Sequence, residues 1–216
     1  MSLLTNYTWS HCISDNWNQF PGNAGGSTGI PGNRKGDRGN CAPSDQRHVF
    51  NLSGIVQTPK FKNRTVQTLA SNWQFSPIVR LRSGQWFSVT TGVDNALNGT
   101  TGQRATMTGQ NPYAPEKTVD HWLNPAAFAS PTPGTYGNQG ANSLVGPGTI
   151  QVDLGVSRTF AVGEGRTIQI RAESFNLPNH TNPNNPVAAT NNTTAFGKIQ
   201  TAGDPRIIQF GVKVGF

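Results

Sequence analysis

The last eleven residues, Arg206 to Phe216, alternate strictly. Ile208, Phe210, Val212, Val214 and Phe216 fall on one side of an extended backbone, and Ile207, Gln209, Gly211, Lys213 and Gly215 on the other. Successive side chains of a strand point to opposite faces, so this segment presents one fully apolar face and one that is mostly polar or glycine. A tilted strand of about 9–11 residues is long enough to cross a bilayer. In a soluble sheet such an apolar face needs a second layer to cover it; in a membrane it needs only lipid.

The same pattern recurs upstream and predicts six strands. Thr149 to Phe160 sets Ile150, Val152, Leu154 and Val156 against Gln151, Asp153, Gly155 and Ser157. Arg166 to Leu177 sets Ile168, Ile170 and Ala172 against Gln169, Arg171 and Glu173. Gln46 to Pro59 carries Phe50, Leu52, Gly54 and Val56 on one face, and Leu3 to Cys12 carries Leu3, Thr5, Tyr7 and Trp9. Asn72 to Thr90 is read as one strand with Trp73, Phe75, Val79, Leu81, Phe87 and Val89 on odd positions. Pro77 interrupts its hydrogen-bond ladder and Gly84 is a place for a kink.

The connections alternate in length: 13–45 long, 60–71 short, 91–148 very long, 161–165 a tight turn suited to Gly163 and Gly165, and 178–205 long. Long loops on one side and short turns on the other are the asymmetry of an outer-membrane barrel. Long irregular connections of this kind are uncommon in a compact soluble domain. With Phe216 ending in the periplasm, six strands put every long loop outside. Tyr7, Trp9, Phe50 and Phe87 then lie near the outer strand ends, and Trp73, Phe160 and Phe216 near the inner ends, as two interfacial girdles.

Composition agrees. Gly (25), Pro (15) and Asn (22) dominate, while only 12% of residues are charged. These residues favour turns and disfavour long helices. The net charge of +7 is thinly spread, with one small cluster at Arg34, Lys35 and Arg38, and no groove-reading or base-stacking module accompanies it. Nucleic acid is therefore not an expected partner. No apolar run reaches the length of a transmembrane helix, and MSLLTNYTWS does not read as a signal peptide.

The stretches SLLTNYTWSHCISD (2–15), DQRHVFNLSGIVQTP (45–59), NWQFSPIVRLRSGQWFSVTTG (72–92), WLNPAAFA (122–129), GTYGNQGANSLVGPG (134–148), DLGVSRTF (153–160), IRAESFNLPNHTNPNNP (170–186) and FGKIQTAGDPRIIQFGVKVGF (196–216) carry a resemblance in their order along the chain. Together they resemble the C-terminal part of TonB-dependent receptors of the Oar-like, carboxypeptidase-regulatory-domain type. The resemblance implies an all-β fold: an antiparallel outer-membrane barrel segment of about six long strands with long external loops, incomplete as a barrel. Residues 1–216 are expected to be the C-terminal portion of that barrel, without its plug and N-terminal strands. The implied location is the bacterial outer membrane. The implied partners are outer-membrane lipid and lipopolysaccharide, the barrel-assembly machinery, TonB through a plug region, and a substrate the sequence does not name.

The candidate site residues are few. Phe210, Val212, Val214 and Phe216 resemble the C-terminal signal read by the barrel-assembly machinery, by strand addition to a sheet edge. Cys12 and Cys41 flank the first long loop and are candidates for a loop-closing disulfide. Asp153, Arg171 and Glu173 are expected to form a salt-bridged polar wall. His11 with Asp15, Asp120 with His121, and the isolated His48 and His180 lack the convergence a metal or acid/base site needs. No phosphate loop or nucleophile elbow is present. The expectation is a non-enzyme without a cofactor. The sequons Asn63-Arg64-Thr65 and Asn98-Gly99-Thr100 are read as chance. The alternative reading is a secreted β-sandwich carbohydrate-binding or adhesion module, whose apolar faces would meet across a core.

Overall fold

A computed structural model describes residues 1–15, 30–163 and 165–216 of the chain, without the side chain of Arg34. Its frame is six long strands: β1 (Ser2–Trp9), β2 (His48–Gln57), β3 (Trp73–Arg82), β4 (Thr149–Ala161), β5 (Thr167–Phe175) and β6 (Ile207–Gly215). They pair antiparallel in chain order within one sheet, so every connection joins neighbours. Among the described residues β1 pairs only with β2 and β6 only with β5, and the sheet stays open at both edges.

Register decides the character of the sheet, because a one-residue slip would move a whole strand's apolar set to the other face. Here no strand slips. Tyr7 lies opposite Phe50, Phe50 opposite Leu81, Leu81 opposite Ile150, Phe160 opposite Ile168, and Ile168 opposite Val214. One face is therefore predominantly apolar. The other runs Asn6, Asn51, Arg80, Gln151 on its first four strands and Ser157, Arg171, Gly211 on its last three.

The apolar face is uncovered. Phe210 is 81% exposed and Val212 70%, and Leu3, Tyr7, Trp9, Leu81, Ile150 and Ile170 are exposed as well. No second sheet lies against it, so the meeting of apolar faces that a sandwich requires does not occur among the described residues. Conversely, every buried apolar side chain among the described residues lies outside the six strands.

Three features differ from the sequence reading. The strand expected over Asn72 to Thr90 ends at Arg82, and Trp86–Phe87 forms a separate short pair with Leu144–Val145. The cause is Gly84: a Cβ there would come within 1.9 Å of the Gly146 carbonyl oxygen, so the chain turns away from the sheet to pass another backbone segment. Phe87 consequently leaves the girdle and is buried elsewhere. The connection at 60–71 contains a short helix, α1 (Arg64–Ala70), started by Asn63. The Asn63 side chain accepts hydrogen bonds from the Thr65 and Val66 N–H groups at 3.0 and 3.2 Å, so this sequon serves as a helix cap.

Pro77 acts as its chemistry dictates. The β2–β3 ladder is interrupted beside it and resumes at Val56 opposite Phe75 in the same register, while pairing with β4 runs through unbroken. The turn at 161–165 shows positive φ at Gly163 and Gly165, and its residue 164 lies outside the described residues, as do residues 16–29 of the first long loop.

Candidate functional site

At one end of the sheet the three long connections do not splay apart. They fold together into a cap with its own core: Phe87, Val89, Ala105, Leu123, Ala127, Phe128 and Leu144, with Met107, Tyr113, Trp122, Ala188 and Phe196 packed against it. Phe128, from the connection between β3 and β4, meets Phe196, from the connection between β5 and β6, edge to face at 5.6 Å. Such geometry suits the ring quadrupoles. The apolar residues driving this burial come in ones and twos from separate segments, which accounts for a core without a sustained sequence period.

Buried polar side chains lock the connections to one another. Arg104 and Asp37 form an ion pair at 3.0 Å with both side chains nearly inaccessible. Arg104 also donates to the carbonyls of Gln139 and Gly36 at 2.9 and 2.6 Å, and Asp37 accepts from the Ile30 N–H at 2.6 Å. Asn40 and Asn142 exchange amide-to-carbonyl hydrogen bonds at 2.9 and 2.7 Å. At Gly39 the first connection passes so near the Ala141 carbonyl that a Cβ would overlap it. Cys12 and Cys41 are joined by a disulfide with Cα atoms 5.4 Å apart, closing the first connection at the foot of the cap.

A second ordered turn sits around Asp94. Its carboxylate accepts from the Asn98 and Gly99 N–H groups at 3.1 and 2.8 Å and from the Gln103 amide at 3.2 Å. Desolvation pushes the Asp94 carboxyl up, but the N–H groups of Asn98 and Gly99, the Gln103 amide and the Leu97 N–H outweigh it and hold it below the ordinary 3.8. A carboxyl lowered on folding adds stability above its unfolded value, and that stability is lost as pH falls through the lower folded one. Protection of the Asn98 and Gly99 amides, taken relative to each amide's intrinsic exchange rate at the same pH, is therefore expected to hold down to about pH 4 and to fall only below it. Loosening that begins near neutrality would contradict the assignment.

On the sheet, the polar face carries ion pairs along β3 to β5. Arg80 reaches Asp153 at 2.7 Å. Asp153 also accepts from the Asn176 N–H at 2.9 Å and from the Gln151 amide. Arg171 pairs with Glu173, which in turn accepts from Gln209 at 2.6 Å. Asn176, buried and at positive φ, ties the start of the last long connection to the carbonyls of His180 and Asp204. Arg158 is the cation on the apolar face. It lies near the short-turn end, its guanidinium 5.3 Å from the Trp73 ring centre and 4.8 Å from that of Phe160, and it donates to the Thr68 carbonyl. A long cationic side chain keeps its head at an interface in this way.

The sheet inverts the pattern of a soluble protein: the buried apolar core lies in the cap, while the sheet carries ion pairs on one face and bare apolar side chains on the other. The family model described as an outer membrane beta barrel domain matches residues 1–209. The chain belongs to the outer membrane β-barrel domain family. No curated protein and no solved structure matches it. As a barrel protein of the bacterial outer membrane, it turns its apolar face to lipid and its polar face to the lumen. Tyr7, Trp9 and Phe50 lie on the lipid face at the capped end, and Trp73, Phe160 and Phe216 at the opposite end. At the capped end Tyr7, His48, Phe50, Leu81, Ile150 and His180 line an open, mainly apolar groove of ≈ 500 Å³.

The site residues named from sequence are dispersed through this barrel segment. Phe210, Val212 and Val214 project from the exposed lipid face of the edge strand β6, and Phe216 follows its last residue, also exposed. His11 stacks edge-on against Trp9, and His48 bonds the Tyr7 hydroxyl at 2.8 Å. Sequence reasoning missed Arg104, Gln139, Asn142 and Asn176. Isolated polar residues in irregular loops carry no periodic signal, and only their near-complete burial marks them.

Proposed function

We propose that this chain is the C-terminal wall and part of the external cap of a TonB-dependent outer-membrane receptor. The observation that carries the reading is the six-stranded sheet itself: one face is dominated by exposed apolar side chains, the other carries the ion pairs, and both edges are open. An open sheet edge in hydrocarbon leaves backbone groups unsatisfied, so such a wall functions only when further strands close it. In this reading the long connections face outward as a folded cap, and α1 and the 161–165 turn face the periplasm. Energy comes from TonB through a plug. The exposed alternating segment ending in Phe210, Val212, Val214 and Phe216 is the part the assembly machinery reads by strand addition.

The test is made on outer membranes of the bacterium that carries the gene. An antibody against the cap should detect a species with heat-modifiable mobility, larger than the 23.1 kDa of this chain. That species should be retained on immobilised TonB periplasmic domain. A species of 23.1 kDa in the soluble fraction would overturn the barrel wall. An outer-membrane species that TonB never retains would leave the barrel in place and overturn TonB dependence.

A further inference from the structure

Just beneath the cap, the lumen face hollows into an open pocket of ≈ 380 Å³. Arg80 and Arg82 enter it from β3, Thr149 and Gln151 from β4, Phe175 from the end of β5 and Ile207 from the start of β6. The strand register puts all six on the polar face. Cations and hydroxyl thus stand on one side, and an apolar floor of Phe175 and Ile207 on the other.

One arginine of this pocket has a buried donor without a partner, and the other is free to bind. Arg80 spends Nη2 on Asp153, yet its Nε is buried with no hydrogen-bond partner. Asp153 has no capacity aimed at that Nε, since its two oxygens already serve Arg80, Gln151 and the Asn176 N–H. Arg82 is exposed, and its guanidinium has no partner among the described residues. A buried donor left unpaired costs free energy, and a guanidinium fork matches a carboxylate in shape and charge. Asp204 also lines the pocket and adds an opposing negative charge. That charge favours a monoanion over a phosphate dianion.

We infer that this pocket binds the carboxylate of a small organic solute with an apolar portion, at the capped mouth of the lumen. Arg82 holds the carboxylate, the Thr149 hydroxyl donates to it, Arg80 adds positive charge beside it, and Phe175 and Ile207 take the apolar part. The inference rests on the barrel reading for the solute's route to the pocket, while the chemistry of the pocket stands on its own residues.

The test uses full-length protein extracted in detergent from outer membranes and titrated with 2-naphthoate, followed by the probe's own fluorescence. The isosteric 2-naphthamide serves as the neutral comparison. Naphthoate is expected to bind saturably and naphthamide not to bind. Arg82→Met should weaken naphthoate about tenfold or more, the loss of one charge-assisted contact. Asp204→Asn should tighten it. Equal binding of acid and amide, or an Arg82→Met variant that binds as well as the parent, would overturn the assignment. So would failure of naphthoate to bind protein that still shows heat-modifiable mobility, and that result would leave the barrel standing. Naphthoate binding by protein that neither floats with lipid nor shows heat-modifiable mobility would instead overturn the barrel and keep the pocket.

Discussion

Arg104→Ala is expected to destabilise the cap by about 3–5 kcal/mol, because it strands the Asp37 carboxylate in a buried setting. The loss includes two further donations, to the Gln139 and Gly36 carbonyls, that tie the first and second long connections together. Asp37→Ala should cost a similar amount, and the double replacement far less than the sum, since each single change already breaks the shared pair. Limited proteolysis of the membrane-embedded protein reads this directly. Both single variants should be cut within 30–45 and 95–145 at protease levels the parent resists, while the heat-modifiable mobility of the strands persists. Equal resistance in parent and variants would show that the pair does not hold the cap.

Leu154→Arg should cost about 2–4 kcal/mol and reduce the amount assembled in the outer membrane, because position 154 faces lipid midway along β4. The penalty depends on face and depth. Ile150→Arg, on the same face but near the capped end, should cost only about 0–1 kcal/mol. Gln169→Arg, on the lumen face of β5, should be tolerated, since it projects toward water. Quantitative blotting of urea-washed outer membranes ranks the three. A ranking in which Gln169→Arg is the most damaging would mean that the two faces have been exchanged.

These expectations draw on different sources of information. The strands were legible because pleat geometry converts a sequence period of two directly into two faces. Ile208 to Phe216 and Ile150 to Val156 announce their faces without any tertiary contact. The interruption at Pro77 was equally local, following from its missing N–H. The cap was not legible. Phe87 and Val89 continue the odd-position pattern of Trp73 to Leu81, so alternation alone assigned them to the girdle. Gly84 ends that strand only because the backbone at Gly146 passes beside it, a contact between residues far apart in the chain. Asn63 was visible only as part of a sequon read as chance; its role as a cap depends on the turn of helix that follows it.

By itself, then, the sequence determined an open, meandering sheet with one face suited to lipid and long connections confined to one end. Those properties depend on near neighbours along each strand, where side-chain direction is set by the backbone. The tertiary structure alone decided that those connections fold into one cap, that Arg104 with Asp37 and Asn142 with Asn40 clasp it, and that Arg80 and Arg82 share a pocket beneath it. Each of these joins residues from separate segments, and desolvation on burial fixes their partners, a quantity that exists only once the chain has packed.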